Sequence, residues 1–456
     1  MDSYEIVILG AGISGLSTAA FLEAQGKNVL ILEKRDKVGG VLSSKEIDGY
    51  TFDFAANSTV EKYESFQKLL NWTGIKDQLM QANRKASKKY LYRDNQIHAL
   101  DGPLSYIFTK LLSFKTKLRV LKEPFVKARR DHTDESMHDF VIRRFGKEFL
   151  DYTLNPLVAG VYAGDPKDLS MQAAYPEMAA METQHGSVIM GSYHTMKNKR
   201  NAYKQGAFKP SRNIMSFQRG MNQLPKAIAK KLSPQLFLKS EVIEITPSEN
   251  RYHITYLKDG EKHTIATDKI ISTLPAYKLS SLVSDLDHKL SEELDKIFYP
   301  PVGTLTLGYH KEQIGRQLDS FGFLVPEKAK LKFLGALWSS TIFDHRAPKD
   351  HASFTLYLGG SRNHEEMLQS DLNRWVSEAT REFAEIMEIE GEPKTKCFKL
   401  YEKAIPQYNL GYMDFKAQLD NFHTHHPNFI ISGNFVGGNS VSDCINNAEK
   451  NANKMI

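Results

Sequence analysis

Read as a pattern of apolar and polar positions, the chain opens on a strand–turn–helix–strand unit. Ile6-Val7-Ile8-Leu9 is a continuous β-branched and aliphatic run, as expected of a parallel strand buried on both faces. It ends in Gly10-Ala11-Gly12-Ile13-Ser14-Gly15. Leu16, Ala19, Ala20 and Leu22 then recur near helical spacing, and Gly26 marks the stop. Val29-Leu30-Ile31-Leu32 is a second buried strand, and it ends on Glu33.

Further along, the period changes. Residues 101–150 read as helical, with Pro124 interrupting any single long helix. From Gly206 the chain turns strand-like. Leu236-Phe237-Leu238, Glu241 to Ile245 and Tyr252 to Tyr256 alternate at period two, and Asp259-Gly260 reads as a hairpin turn. Lys269 to Pro275 predicts another buried strand, while Val302 to Gly308 and Phe354 to Leu358 predict a second sheet between 300 and 360. At the far end, Phe429-Ile430-Ile431-Ser432 opens onto glycines, and a helix starts near Val441. No solenoid repeat or low-complexity tract interrupts this α/β pattern.

Composition narrows the class without naming a chemistry. At 456 residues the length suggests two or three domains and ample core. The 41% hydrophobic and 25% charged residues exclude a disordered chain or a polytopic membrane protein. No apolar run reaches about 18 residues, so no membrane-spanning helix is expected. A formal charge of +6 is too small to argue for nucleic acid. Cys397 and Cys444 make neither a disulfide framework nor a metal site. A reducing, cytoplasmic location is expected, with no signal peptide.

The glycine spacing changes the picture most. Gly10 permits a tight turn, Gly12 a close approach of backbone to a pyrophosphate, and Gly15 close packing of helix on strand. Backbone N–H groups and the positive helix end then face the phosphates. Glu33 stands where an acid accepts hydrogen bonds from an adenosine ribose. The pattern predicts an adenine dinucleotide. An acid followed shortly by Gly39-Gly40, as here, resembles the flavin branch of this fold, in the amine oxidase and phytoene desaturase superfamily. That glycine pair lets the chain pass beside the diphosphate. The helix near Val441 points its N-terminus where a reduced flavin develops negative charge.

Three segments sharpen the likeness. Gly160-Val161-Tyr162-Ala163-Gly164-Asp165-Pro166, Ala404-Ile405-Pro406-Gln407-Tyr408-Asn409-Leu410-Gly411, and Gly433-Asn434 through Asp443-Cys444 resemble the protoporphyrinogen/coproporphyrinogen oxidase family. The match runs from residue 5 to about 450. The resemblance implies an FAD-binding Rossmann-like domain of glutathione-reductase type, a mixed-sheet substrate domain and an inserted helical domain. The expected boundaries are 1–75, 210–280 and 395–456 for the discontinuous FAD domain. They are 76–100 and 281–394 for the substrate domain, and 101–209 for the helical one.

By position, the resemblance places Gly10, Gly12, Ile13, Ser14, Gly15, Glu33, Lys34, Gly39, Gly40 and Val41 on the cofactor. Ala56, Asn57, Ser58, Val242, Tyr401, Gly433, Ser440, Val441 and Ser442 join them. Asn57, Gly160, Gly164 and Lys76 are the substrate-side candidates. Three features depart from the family: Ala55-Ala56 stands where it has Gly-Pro, Tyr412 where it has His, and Lys76 is a weak match for its propionate-binding base.

The implied reaction is a six-electron oxidation of protoporphyrinogen IX or coproporphyrinogen III in haem biosynthesis, as three hydride transfers to flavin N5. No side chain stands out as a catalytic base. The substrate is a tetrapyrrole, the electron acceptor is oxygen or a quinone, and a homodimer stays open. An amine oxidase, a carotenoid-type desaturase and a non-catalytic carrier of the same fold are the rivals. Tyr90, Tyr92, Phe333 and Trp338 are cleft candidates, although aromatics of this size are more often core. Residues 104–130 hold eight Lys or Arg and one acid, interleaved with apolar residues. That patch suits the inner face of the cytoplasmic membrane, or a helix packed on its own domain with a solvated basic face.

Overall fold

Two seven-stranded mixed sheets organise the described residues. The computed structural model describes residues 2–99, 111–129, 131, 133–211, 213–232, 235–249 and 251–456. In the first sheet, β1 (Ser3–Leu9) runs parallel to β2 (Val29–Leu32) on one side and to β3 (Glu261–Ser272) on the other. β4 (Phe429–Ile431) adds parallel beyond β3, and Leu236–Phe237 beyond β2. Ile6, Val7, Ile8 and Leu9 are fully buried, the pattern of a strand covered on both faces. Ile6 and Ile8 enter the core shared with helix α1 (Ile13–Glu23) and the closing helix α2 (Val441–Lys454). Val7 and Leu9 enter the core on the opposite face.

β3 is long enough to serve two sheets' worth of pairing. Its C-terminal half completes the parallel layer, while its N-terminal half pairs antiparallel with Arg251–Lys258, which in turn pairs with Ser240–Ser248. The predicted hairpin turn is there, with Asp259 at φ +51° and Gly260 at φ +87°. Such positive values suit a primed turn between twisted strands.

The second sheet runs Thr395–Tyr401, Val302–His310, His351–Gly359, Gly335–Leu337, Ser320–Leu324, Lys88–Arg93, Gln96–Ala99. Helix Leu372–Met387 covers one face with Trp375, Ala379 and Phe383. Tyr92, Phe333 and Trp338 belong to this core, and Tyr90 packs against it. These aromatics are therefore structural filling.

Between the sheets' segments lies a helical module that includes Met137–Arg144, Asn155–Tyr162, Pro176–His185 and Val188–Lys204. The predicted interruption at Pro124 appears as a 3-10 turn, Glu123–Phe125, after helix Phe114–Leu121. The rest of the basic stretch, Leu104 to Lys110 and Arg130, lies outside the described residues. Glu123 and Arg144 are fully buried here as an ion pair. Glu123 also accepts from the Ser187 hydroxyl at 2.6 Å and the Val188 N–H at 2.9 Å, so it caps the following helix.

One titration is built into the first sheet. Nε2 of His423 accepts the Ile431 N–H of β4 at 3.1 Å, and burial pushes the imidazole down to about 4. The ring is thus neutral in the native state and protonated in the unfolded chain below about 6.5. Its stabilisation is full above that pH and disappears as pH falls toward 4. His423→Gln should remove on the order of 2 kcal/mol of the stability loss between pH 6.5 and 4. Chemical denaturation of both proteins across that range checks this; parallel curves would refute it.

Candidate active site

The loop after β1 forms a cradle made of backbone. Gly10 has φ +98°, and a Cβ on Gly15 would stand 1.9 Å from the Gly10 carbonyl oxygen. No other residue fits at Gly15, so helix α1 starts tight against the turn. A Cβ on Gly12 would meet only Gly40 Cα, at 4.0 Å, which leaves the space in front of the helix open. Gly39 and Gly40 both have positive φ, and the Gly39 N–H donates to the Ala11 carbonyl at 2.8 Å. The glycine pair is therefore part of the same cradle as Gly12, not an independent turn. Ser14 is buried in the first turn of α1, and Ile13 is half-buried.

Glu33 sits at the end of β2, nearly buried. Its carboxylate accepts the Ala11 N–H at 2.8 Å and the Arg35 N–H at 2.9 Å. One oxygen is used for each bond, and each keeps a lone pair. Ser240 N–H donates to the Glu33 carbonyl, which brings strand Ser240–Ser248 and half-buried Val242 alongside. Lys34 pairs with Glu241 at 2.6 Å in the same corner.

Past Gly40 the chain turns toward the second sheet. The Tyr401 hydroxyl donates to the Val41 carbonyl at 3.1 Å and lies 3.1 Å from Ser43 Oγ. Val41 itself is 41% exposed, a large apolar side chain left facing the opening. Lys399, two residues before Tyr401 on the same strand face, donates to Ser43 Oγ at 2.8 Å. Its ammonium lies 4.6 Å from the Tyr401 ring centroid and 5.4 Å from that of Phe54. In the sequence nothing marks this cation except its position two residues from Tyr401.

The strip Phe54–Ser58 is held by hydroxyl groups. Thr304 donates to the Phe54 carbonyl at 3.0 Å, Tyr357 to the Ala55 carbonyl at 3.2 Å, and Ser216 to the Asn57 carbonyl at 3.0 Å. Neither Ala55 nor Ala56 adopts positive φ. The departure from Gly-Pro therefore costs no backbone strain here. Asn57 is buried, and among the described residues its Oδ1 has no hydrogen-bond partner. Ala56 and Ser58 are half-buried beside it. Beneath the strip, Arg346 and Asp53 form a buried ion pair at 2.7 Å. Burial raises the Asp53 carboxyl and lowers the Arg346 guanidinium, while their mutual attraction opposes both shifts.

The closing segment completes the ring of elements. Gly433, Gly437 and Gly438 have positive φ, and Ser440 Oγ caps α2 by accepting the Asp443 N–H at 3.2 Å. Val441 and Ser442 are buried in its first turn, with the Ser442 hydroxyl on the Val60 carbonyl. Cys444 lies beside the Ser14 hydroxyl, and burial pushes its thiol up to about 11. The glycine loop is braced by two tyrosines. Tyr408 donates to the Asn434 carbonyl at 2.9 Å and accepts the Gly438 N–H at 3.0 Å; Tyr412 donates to the Phe435 carbonyl at 2.7 Å. That is the physical use of Tyr412, where the family has His.

Three substrate-side candidates remain. Gly160 and Gly164 have packing reasons: a Cβ would stand 2.5 Å from Leu324 Cδ2 and from Gln407 Oε1 respectively. Lys76 is exposed in a 3-10 turn, Lys76–Gln78. Among the described residues no hydrogen bond or ion pair links it to Asn57, Val41 or Tyr401. No group of metal-ligating side chains is found among the described residues.

Comparison with known proteins accords with this geometry. The model of the flavin containing amine oxidoreductases matches residues 13–456. The mitochondrial protoporphyrinogen oxidase of Nicotiana tabacum is 30% identical, over 99% of this chain and 94% of that one. The coproporphyrinogen III oxidase of Bacillus subtilis is 24% identical, over 96% and 95%. A solved structure from Exiguobacterium sp. 255-15, described as a candidate protoporphyrinogen oxidase, superimposes with a TM-score of 0.81. It shares 21% identity and covers 99% of this chain and 98% of that one. The backbone cradle, the acid after β2 and the capped closing helix are thus the features of a chain that belongs to the flavin containing amine oxidoreductase family.

Proposed function

We propose that the chain is an FAD-dependent porphyrinogen oxidase of haem biosynthesis. The observation that carries this is similarity along the whole chain to protoporphyrinogen and coproporphyrinogen oxidases, on a fold whose cradle is open in front of Gly12. The N–H groups of Gly10 to Gly15 and the positive end of α1 hold the diphosphate. Glu33 takes the ribose on its free lone pairs, and Val242 and Lys34 border the adenosine end. Gly39, Gly40, Val41, Ala56, Asn57, Ser58 and Tyr401 line the ring end. Gly433 and the turn Ser440–Ser442 close it, with the α2 N-terminus facing developing negative charge. When bound, FAD supplies the hydride acceptor. The protein's share is to orient the macrocycle beside Asn57 and to exclude water.

The rivals within the superfamily lack support from the Gly160–Pro166 turn, and a carrier without catalysis does not need so complete a cradle. Purified protein is expected to be yellow, absorbing at about 450 nm. Anaerobic mixing with protoporphyrinogen IX or coproporphyrinogen III should bleach that band, whereas a polyamine should not. A band that bleaches with the polyamine alone would assign an amine oxidase instead. Glu33→Ala should weaken FAD binding by about 10- to 100-fold, the scale of a lost charge-assisted hydrogen bond. Fluorescence titration of the apoprotein measures it; unchanged affinity contradicts the ribose contact.

A bilayer surface is the second partner. Helix Phe114–Leu121 packs inward through Thr116 and turns its apolar stripe out: Phe114 is 76% exposed, and Leu118 and Leu121 are exposed too. Phe125, at 89%, continues the stripe, and Ile189, Met190, Tyr193 and Met196 of the helix that Glu123 caps add to it. Lys115, Lys122 and Lys127 are exposed in the same segment, a composition that suits anionic lipid headgroups. No helix among the described residues is long and apolar enough to cross a membrane. The chain should co-sediment with phosphatidylserine-containing vesicles in a salt-sensitive manner. Leu121→Asp with Phe125→Asp should reduce that binding by about tenfold or more. Equal binding by the double variant would count against the surface.

A further inference from the structure

Asp53 and Arg346 belong to no cofactor motif, yet they are 2% and 1% exposed. A buried pair of this kind contributes little net stability, because desolvation offsets most of the attraction. Its connections suggest a different use. Asp53 is immobilised on its other oxygen by the Ser44 hydroxyl at 2.5 Å and the Met221 N–H at 2.8 Å. Arg346 Nη2, which faces Asp53 at 2.7 Å, also donates to Ser216 Oγ at 2.6 Å. Ser216, fully buried, donates its hydroxyl hydrogen bond to the Asn57 carbonyl at 3.0 Å. The guanidinium therefore polarises the hydroxyl that grips Asn57, which strengthens that bond in a site of low dielectric.

The direction of the chain of bonds matters. Ser216 has one proton, and Arg346 occupies an acceptor site on its oxygen, so the hydroxyl can point only toward Asn57. Among the described residues the buried Asn57 Oδ1 has no donor, an acceptor that a bound molecule or an ordered water would satisfy. We propose that Arg346, anchored by Asp53, is a positioning residue that acts through Ser216 to fix how the Asn57 amide is presented to the bound substrate and flavin. This rests on the reading of Asn57 as a residue facing that site.

A double-mutant cycle on the FAD-loaded, full-length protein tests it. Ser216→Ala removes the link and leaves the ion pair and its packing in place. It should lower kcat by about tenfold, since small misplacements at a reacting centre are costly. The melting temperature should stay within about 4 °C of wild type and KM within about twofold, with FAD still bound and its visible band shifted. Asn57→Ala should lower kcat at least as much, and Ser216→Ala added to Asn57→Ala should have no further effect. Additive losses, or wild-type kcat in Ser216→Ala beside an impaired Asn57→Ala, overturn the positioning role alone. Wild-type kcat in Asn57→Ala overturns both it and the reading of Asn57. Failure of the wild-type protein to oxidise any porphyrinogen would instead sink the proposed function.

Discussion

The approach of helix α1 to the Gly10 turn, where a Cβ on Gly15 would stand 1.9 Å from a carbonyl oxygen, sets the position of the rest of the cradle. Because the helix starts that close, its first N–H groups and its dipole meet at one point in space. The Gly39-Gly40 crossing passes beside Gly12, where a Cβ would stand 4.0 Å from Gly40 Cα, and Glu33 is drawn onto the Ala11 N–H by the same turn. Backbone-to-backbone contact of this kind cannot be traded for side-chain packing, and a Cβ on Gly15 would push helix and turn apart.

At the other end of the site the chain uses the opposite device. The Phe54–Asn57 strip is held by side chains arriving from distant segments, namely Thr304, Tyr357 and Ser216. Two alanines are accommodated where the family has Gly-Pro because the carbonyls, not the φ angles, determine the strip's path. The tyrosines that brace the closing glycines work in the same way. One half of the site is thus shaped by the absence of side chains and the other by hydroxyl groups.

That difference explains what was legible in the sequence. The opening unit could be read because a parallel strand covered on both faces is a continuous aliphatic run, and because the glycine spacing admits few alternatives. The Asp259-Gly260 turn was legible from local chemistry. The second sheet's order was not: Ser320–Leu324 pairs in parallel with Lys88–Arg93, and no local pattern encodes a partner so far away. Asp53 and Arg346 look like surface charges until tertiary packing buries them. Periodicity identifies an apolar stripe on the basic helix but not which way it faces; in the fold Thr116 is buried and Phe114 exposed.

The parallel layer has a consequence for biosynthesis. β1 and β2 come from the first segment of the chain, β3 from the middle, and β4 with α2 from the far end. A ribosome releases these pieces in that order, so the early glycine turn emerges long before Ser440 and the loop that must face it. Such non-local pairing is slow and leaves apolar strand edges uncovered in the meantime. Ile270 and Ile271 of β3 wait in that state until Phe429 and Ile430 arrive. An emerging chain would then depend on chaperones, or on early capture of the dinucleotide by the first half-site, to cross that interval without aggregating.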